Sequence, residues 1–106
     1  MNNKYKLNFR INSSNIHGNG IFSNDIFKRG KIVGVLMYYI LFMPFITQDL
    51  GRWINHSYTP NCTMYLHKNN NKYYLAILKD VQINEELTIN YNDTPWFIRK
   101  PELDFK

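Results

Sequence analysis

Apolar and polar residues alternate in short stretches along this chain, and Gly, Asn, Ser or Pro interrupts them every few residues. Alternation over four to eight residues is typical of a β-strand with one buried face. The pattern predicts a first strand over residues 6–11, a short strand over 21–23 and a last strand over 86–91, with a loop over 13–20. Few stretches are long enough for a helix, so the chain is predicted to be a compact, mostly β domain.

A β-hairpin is predicted in the second half of the chain. Two β-rich stretches, 63–67 and 72–79, flank the turn Lys68-Asn-Asn-Asn71. Asn tolerates positive φ, which tight turns between strands require. Between the predicted strands, residues 47–53 could form one or two helical turns, with Gly51 limiting the length.

The strongest apolar stretch runs from Ile32 to Ile46 and contains Pro44. It is shorter than the roughly 20 residues that cross a bilayer, so no membrane association is predicted. One interpretation is a buried strand. The other is the interface of a homodimer, because a domain of this size has little interior in which to bury so many apolar residues.

Composition narrows the class of protein further. The length of 106 residues allows one domain, taken as residues 1–106, and 44% hydrophobic residues with only 20% charged residues exclude a disordered chain. The net charge of +5 is spread along the chain, so a direct nucleic-acid ligand is not expected. The single cysteine, Cys62, excludes an internal disulfide and suits an intracellular, reducing compartment. The polar N-terminal residues lack the apolar stretch of a signal peptide, so none is predicted.

Generic chemical motifs do not explain the chain. The stretch Gly18-Asn19-Gly20 lacks the third glycine and the strand–helix context of a dinucleotide-binding motif. His17, His56 and His67 are not spaced as metal ligands together with Cys62, so no metal site is predicted.

Three other motifs are more informative. They are Gly18-Asn19-Gly20-Ile21-Phe22, Arg52-Trp53-Ile54-Asn55-His56-Ser57-Tyr58-Thr59-Pro60-Asn61 and Glu85-Glu86-Leu87-Thr88-Ile89-Asn90-Tyr91. Taken in this order, they resemble the SET domain of protein lysine methyltransferases. The resemblance spans about residues 14 to 101, and the chain looks most similar to the minimal viral SET proteins, which lack cysteine-rich flanks.

The resemblance implies a fold and an activity. The expected fold is the mostly β, compact SET-domain (β-clip) fold, with several short sheets, a knot-like C-terminal core and little helix. Residues 92–106 would form a short post-SET tail without zinc. The expected activity is protein-lysine N-methylation with S-adenosyl-L-methionine as cofactor and a histone tail or another basic protein as substrate. The nucleus, a host nucleus or a virion is then a more natural location than the cytoplasm.

The resemblance also assigns roles to individual residues. Tyr91 would be the catalytic tyrosine beside the transferring methyl group, and Tyr38 or Tyr39 would line the lysine channel. Glu85 and Glu86 are not assigned as a base and are expected to accept from turn amides or to face solvent. The cofactor would contact the first motif, the Asn-His pair, the catalytic tyrosine and an adenine-stacking tryptophan, which are His17, Gly18, Asn19, Gly20, Asn55, His56, Tyr91 and Trp96. Glycines in such a loop let backbone groups approach a polar ligand.

Each of these assignments has a structural alternative. Tyr91 could be a core tyrosine with a satisfied hydroxyl, and Asn55 and His56 could support the fold without a ligand. Asn61 is expected to be structural, and Cys62 is expected to be a small buried side chain that is not a nucleophile.

The chain departs from the family pattern in two places. Asn84 stands where the third motif usually has glycine, although asparagine also tolerates a left-handed backbone. Few residues separate Ile40 from Gly51, where relatives carry a longer insert that forms one wall of the peptide groove. These departures leave open a catalytically silent SET-fold module that binds peptides. A third possibility is a basic β-domain that stacks single-stranded nucleic acid on aromatic side chains, namely Tyr65, Tyr73 and Tyr74.

Overall fold

The computed structural model describes residues 8–67 and 69–93, and most of its regular structure is in short strands. In chain order the elements are β1 (Phe9–Ser13), β2 (Asn19–Ser23), β3 (Ile32–Ile40), β4 (Met43–Ile46), α1 (Leu50–Trp53), β5 (Asn55–His56), β6 (Cys62–His67), β7 (Lys72–Ile77), β8 (Glu86–Ile89) and a 3-10 turn (Tyr91–Asp93). The predicted mostly β class is confirmed. Within these residues, none of the helices has the length and apolarity that crossing a bilayer requires.

The strands of the described residues form two four-stranded sheets. The first has the order β1-β2-β8-β5 and the second the order β4-β3-β7-β6. Strands β5 and β8 run parallel, with Asn55 opposite Thr88 and His56 opposite Ile89, whereas the other neighbouring pairs are antiparallel. Because β8 lies between β2 and β5, the first, second and third motifs are neighbours in one sheet.

Both sheets contribute their inward-facing apolar side chains to one core. Its buried members are Phe9, Ile21, Phe27, Leu36, Leu50, Ile54, Cys62, Leu75, Ile77, Val81, Leu87 and Ile89. Burying a large apolar side chain stabilises a fold by roughly 1.5–3 kcal/mol. The helix α1 begins where the Asp49 carboxylate accepts a hydrogen bond from the Leu50 N–H at 2.6 Å, and it inserts Leu50 into this core.

Asn61 connects the chain after β5 to strand β8 by hydrogen bonds. Its Nδ2 donates to the Glu86 carbonyl oxygen at 2.9 Å, and its Oδ1 accepts from the Thr88 N–H at 3.0 Å. Its own carbonyl oxygen accepts from the Leu78 N–H at 2.8 Å. The structural role expected of Asn61 is therefore confirmed.

The sequence predicted a buried strand over residues 32–46, but only the first part of this stretch is buried. Leu36 and Met37 are buried, but the chain turns back at Leu41 and Phe42, whose exposed fractions are 87% and 94%. The returning strand β4 lies at the edge of its sheet. The prediction fails here because the core of a small domain is already filled by the inner faces of the sheets, so an edge hairpin has nothing to pack against.

Two turns use asparagine as the sequence suggests. Asn71 has φ 56 and closes the β6–β7 hairpin, which is confirmed. Asn84 has φ 74, and its Oδ1 accepts from Nη2 of Arg10 at 2.9 Å. The left-handed turn is therefore kept without glycine, and the side chain adds a contact that glycine could not make. The first strand extends to Ser13 rather than ending at Ile11.

Candidate functional site

The side-chain amide of Asn55 joins the three motifs. Asn55 is only 7% exposed, and its Nδ2 lies 3.1 Å from the carbonyl oxygen of His17, 3.2 Å from that of Asn19 and 2.9 Å from Oε2 of Glu86. An amide nitrogen has two hydrogens, so three acceptors share them. Asn55 thereby holds the exposed loop 17–19 against strands β5 and β8.

Glu86 is the second centre of this cluster. Its two carboxylate oxygens accept from the hydroxyl of Ser14 at 2.7 and 2.9 Å, in addition to the bond from Asn55. The expectation that Glu86 serves a turn amide or faces solvent is wrong. Its neighbour Glu85 does what was expected, because its Oε1 accepts from the Gln82 N–H at 2.7 Å. Glu85 belongs to the turn before β8, whereas Glu86 is the first residue of β8, so the two carboxylates have different partners.

The two glycines of the first motif serve different purposes. Gly18 has φ +48, and a side chain added there would meet open space. A Cβ at Gly20 would lie 2.1 Å from Oε2 of Glu86 and 3.0 Å from Nδ2 of Asn55. A side chain at residue 20 would therefore displace the Glu86 carboxylate from its place on the backbone of β2. Gly18 instead provides a left-handed backbone beside open space, where a ligand can approach closely.

His56 and Tyr91 form the other half of the site. His56 is 1% exposed, and its Nδ1 accepts from the Tyr91 N–H at 3.0 Å. Its ring lies 5.2 Å from the Tyr91 ring and 4.3 Å from the Tyr58 ring, measured between centroids. Burial lowers the pKa of His56 below its ordinary value. A neutral ring whose Nδ1 accepts a hydrogen bond carries its proton on Nε2.

The Tyr91 hydroxyl is directed at the backbone of the second motif. It donates to the carbonyl oxygen of Ile54 at 2.7 Å, one residue before Asn55. The tyrosine is half-buried and packs against the core with its hydroxyl bonded, as the structural alternative expects, and its catalytic role stays a prediction. A phenolic oxygen that donates one hydrogen bond still has lone pairs to accept another. Two oxygens, one phenolic and one carbonyl, thus lie side by side at the junction of the motifs.

Comparison with protein families gives this geometry a context. The SET domain model matches residues 36–92, which is more than half of the chain. The chain belongs to the SET-domain family. The matched residues contain the second and third motifs, whereas the first motif precedes them. In the structure the first motif nevertheless lies beside the other two, as the resemblance implies.

Curated relatives of this SET domain are N-lysine methyltransferases. The chain is 40% identical to N-lysine methyltransferase KMT5A-A of Xenopus laevis over 60 residues, which are 55% of this chain and 17% of that protein. It is 43% identical to KMT5A of Xenopus tropicalis over 49 residues, which are 44% of this chain and 15% of that protein. The alignments thus span about a sixth of the length of these relatives.

Solved structures confirm the fold of the SET domain. A Plasmodium falciparum protein described as a candidate histone methyltransferase superposes with a TM-score of 0.66 at 21% identity, covering 86% of this chain and 98% of that chain. A humanized mutant of the Chaetomium thermophilum Polycomb Repressive Complex 2, bound to the inhibitor GSK126, gives a TM-score of 0.68 at 18% identity. It covers 82% of this chain and 15% of that chain. The predicted SET fold is confirmed.

The two tyrosines proposed for the lysine channel lie in the second sheet of the SET domain. They are adjacent on β3 and face opposite sides. Tyr38 stacks on Phe45 with ring centroids 5.6 Å apart, whereas Tyr39 lies 6.2 Å from Tyr73. Burial, and then the neighbouring Tyr73, raises the pKa of Tyr39 above its ordinary value. At most one of the two can face a channel, and their assignment stays a prediction.

The same alternation argues against the nucleic-acid interpretation. Tyr65 and Tyr74 are cross-strand partners on one face of the second sheet. Tyr73, the neighbour of Tyr74, points to the other face and contacts Tyr39. The three tyrosines therefore do not form one stacking platform.

The remaining sequence predictions divide into two groups. Cys62 is buried, as expected, and burial raises the pKa of its thiol to about 12, which disfavours the nucleophilic thiolate. Trp96 and all but the first two residues of the tail 92–106 lie outside the described residues.

Sequence reasoning missed Ser14 and Glu86. The signal available was the alternation of β8, which puts Glu86 on the face opposite to its buried neighbour Leu87.

Proposed function

We propose that this SET domain is a protein-lysine N-methyltransferase that uses S-adenosyl-L-methionine. One observation carries the proposal: the Tyr91 hydroxyl lies 2.7 Å from the Ile54 carbonyl oxygen, where the second and third motifs meet. The alignment to N-lysine methyltransferases supports the same activity, since it is the activity named for both aligned relatives.

The residues at the junction of the motifs fit the cofactor. Gly18 borders open space and has a left-handed backbone, so a polar ligand can approach the main chain at this residue. Asn55 holds the carbonyl groups of that loop in place. The cofactor would be held by this loop, by Asn55 and His56 and by the ring of Tyr91. It supplies a methyl group on a positively charged sulfur, which leaves as a thioether when the methyl is taken.

The protein's part in the chemistry is to deliver a neutral amine in line with that methyl group. A free lysine has a pKa of about 10.4, so its ammonium must lose a proton before the lone pair can attack. An apolar surrounding and a nearby positive charge both lower that pKa. The Tyr91 oxygen and the Ile54 carbonyl oxygen can accept hydrogen bonds from the amine and so direct its lone pair. Positioning of this kind accounts for a large part of the acceleration of a bimolecular displacement.

A histone tail or another basic peptide is the substrate class that we propose, with the nucleus as the place of action. The names of the structural neighbours, one of which is described as a histone methyltransferase candidate, support this class. An acidic rim would attract such a peptide. Glu86 is used inside the site, whereas Asp49 and Glu85 lie exposed.

The activity is tested with methyl-labelled S-adenosyl-L-methionine, the purified protein and a panel of core histones. The variant Tyr91→Phe keeps the ring and removes the hydroxyl. Tyr65→Phe is its matched control, because Tyr65 is 49% exposed on β6 in the second sheet. We expect label on one histone, a loss of kcat of about a hundredfold in Tyr91→Phe and no loss in the control.

Other outcomes assign the site differently. Full activity of Tyr91→Phe would remove the catalytic role of Tyr91. Cofactor binding by calorimetry without histone labelling would indicate another protein substrate. Neither labelling nor cofactor binding would favour the catalytically silent peptide-binding module.

The partner that we propose for the second sheet is a second copy of the chain. The end of the β3–β4 hairpin, residues 40–46, exposes six large apolar side chains, namely Ile40, Leu41, Phe42, Met43, Phe45 and Ile46. Together they present on the order of 600 Å² of apolar surface, taking roughly 150–200 Å² for each fully exposed large side chain. Two such patches facing each other bury about 1,200 Å², the lower limit for a stable interface. Residues 32–48 also carry no charge, so copies of a basic chain can meet there without repulsion.

The open edge of β4 favours packing of side chains over continuation of the sheet. The Thr47 N–H donates to the Leu36 carbonyl oxygen at 3.0 Å. By the alternation of antiparallel ladders, Pro44 and Ile46 then direct their backbone groups to the open edge. Pro44 has no N–H, which weakens this edge as a template for another strand.

Light scattering at micromolar concentration tests the dimer. The wild type is expected at twice the monomer mass, and the double variant Leu41→Ser/Phe42→Ser at the monomer mass. Ile83→Ser is the control, because Ile83 is 50% exposed outside the hairpin. A monomeric wild type, or a dimeric double variant, contradicts the proposal.

A further inference from the structure

We infer that Glu86 is a positioning residue that orders the 14–20 loop and orients Asn55, an inference that rests on the proposed function of this site. Glu86 does not reach the Tyr91–Ile54 pair through any of the contacts described above. It acts through two partners, Ser14 and Asn55, which it contacts at 2.7–2.9 Å.

The first partner transmits the position of the carboxylate to the loop. The Ser14 hydroxyl donates to Glu86 and accepts from the Ile16 N–H at 2.9 Å. The Ser14 N–H donates to the carbonyl oxygen of Gly18 at 2.8 Å. The loop is thus closed by Ser14, and the orientation of Ser14 is fixed by the carboxylate. Bonds to an ionised acceptor are about twice as strong as neutral ones.

The second partner is Asn55, and its surroundings allow only one orientation of its side-chain amide. An asparagine side chain could present either its oxygen or its nitrogen to its neighbours. Around Asn55 stand two carbonyl oxygens, of His17 and Asn19, and the carboxylate of Glu86. All three are acceptors, so Nδ2 must face them and Oδ1 must point away. A carboxylate enforces this orientation more strongly than a neutral group because it has no hydrogen to donate when ionised.

The absence of a side chain at Gly20 leaves space for the Glu86 carboxylate. A Cβ at this position would lie 2.1 Å from Oε2 and 2.9 Å from the carboxylate carbon of Glu86. The backbone of β2 therefore admits the carboxylate only because residue 20 has no side chain. Glu86, Ser14, Asn55 and Gly20 form one unit, contributed by four segments of the chain.

The test compares Glu86→Ala, Glu86→Gln and Glu85→Ala in the full chain. Glutamine can accept from Asn55 through its oxygen and donate to Ser14 through its nitrogen, so it is the rescuing variant. Glu85→Ala is the matched control, since the neighbouring carboxylate bonds only a turn amide among the contacts described. Two readouts are taken, one of which needs no cofactor.

The cofactor-free readout is amide hydrogen exchange by NMR, followed at Ser14 and Ile16. We expect exchange at both amides to accelerate by about tenfold or more in Glu86→Ala, to stay near the wild-type rate in Glu86→Gln and to be unchanged in Glu85→Ala. Unchanged exchange at these two amides in Glu86→Ala would overturn the inference. Acceleration spread evenly over the whole fold would also overturn it, because that indicates general destabilisation.

The second readout is the affinity for S-adenosyl-L-methionine together with the two KM values. In Glu86→Ala we expect the Kd and the KM for the cofactor to rise by about tenfold to a hundredfold, as for loss of a charge-assisted bond, with the peptide KM unchanged. Equal rises in both KM values would contradict a positioning role. If the wild type binds no cofactor, the proposed function fails, while the exchange experiment still decides whether Glu86 orders the loop.

Discussion

The site in the first sheet and the hairpin of the second sheet differ in how their side chains are buried and bonded. At the site, polar groups of Ser14, Asn55 and Glu86 are half-buried or buried and bond one another. At the hairpin, apolar side chains such as Phe42, 94% exposed, stand in solvent. Breaking a satisfied polar network leaves its remaining members without partners, which is costly. Changing an exposed apolar residue removes little from the folded chain. The two regions should therefore respond to mutation with very different magnitudes.

The largest effect is expected where the two regions join, at Gly51. This glycine lies in α1, between the hairpin and the second motif. A Cβ there would lie 2.0 Å from the carbonyl oxygen of Leu36 and 2.8 Å from Cγ2 of Ile46. Because a backbone atom cannot move aside, Gly51→Ala should lower the free energy of unfolding by about 3 kcal/mol in urea denaturation.

Gly34→Ala is the control for that substitution. Its Cβ would meet only the end of the Leu50 side chain, at 3.2 Å, which can shift. The control should lose about 1 kcal/mol or less. Equal losses in the two variants would show that the close approach at Gly51 does not constrain the fold.

A smaller loss of unfolding free energy is expected at Asn61, which bonds the backbone of β8 next to the site. Asn61→Ala removes two hydrogen bonds to the backbone of β8 and leaves the Glu86 carbonyl and the Thr88 N–H to find other partners. We expect a loss of about 2 kcal/mol in the free energy of unfolding. Asn12→Ala, at an exposed position on β1, should stay within about 0.5 kcal/mol of the wild type. A loss in Asn61→Ala no larger than in this control would refute the tie between the two segments.

The buried histidine makes the first sheet sensitive to pH. Burial lowers the pKa of His56 in the folded state below that in the unfolded state, so the fold prefers the neutral ring. Its contribution to stability is complete above a pH of about 6.5 and is lost as the pH falls toward the folded-state pKa. Urea denaturation between pH 7.5 and 5 should show this decline in the wild type, and it should be smaller in His56→Gln. His67→Gln serves as the comparison, because it removes a histidine from β6 in the second sheet, away from His56. An identical decline in His56→Gln would contradict the assignment.

The smallest effect is expected at the tip of the hairpin. Phe42→Ser should change the free energy of unfolding by no more than about 0.5 kcal/mol, measured by fluorescence at nanomolar concentration so that association does not contribute. Met37→Ser, at a buried position on the preceding strand, should cost several times more. A large loss in Phe42→Ser would mean that the hairpin is packed within the monomer.

The sequence was sufficient for the features that depend on local pattern or on motifs. Alternation predicted the mostly β class, and the tolerance of asparagine for positive φ predicted the turns at Asn71 and Asn84. The motifs predicted that Asn55, His56 and Tyr91 belong together, and the parallel pairing of β5 with β8 places them side by side.

The remaining features depend on which strands pair and in which register. Glu85 and Glu86 are both acidic and adjacent, and only the register of β2 against β8 shows which of them meets Gly20. The exposure of Phe42 likewise follows from the position of β4 at a sheet edge, not from the apolar pattern. Pattern alone identified these residue types but not their neighbours.

The central position of β8 also affects how the chain acquires its site during synthesis. The Asn55 amide bonds residues that are 31 to 38 positions away, on both sides along the chain. The entropy cost of closing a loop grows only slowly with its length, but closure requires that both ends exist. Until Glu86–Ile89 has been synthesised, β2 and β5 lack the strand that lies between them, and the loop before β2 lacks its carboxylate. A nascent chain therefore gains the contacts of this site only when β8 is inserted between β2 and β5, so the site and the sheet that carries it form together.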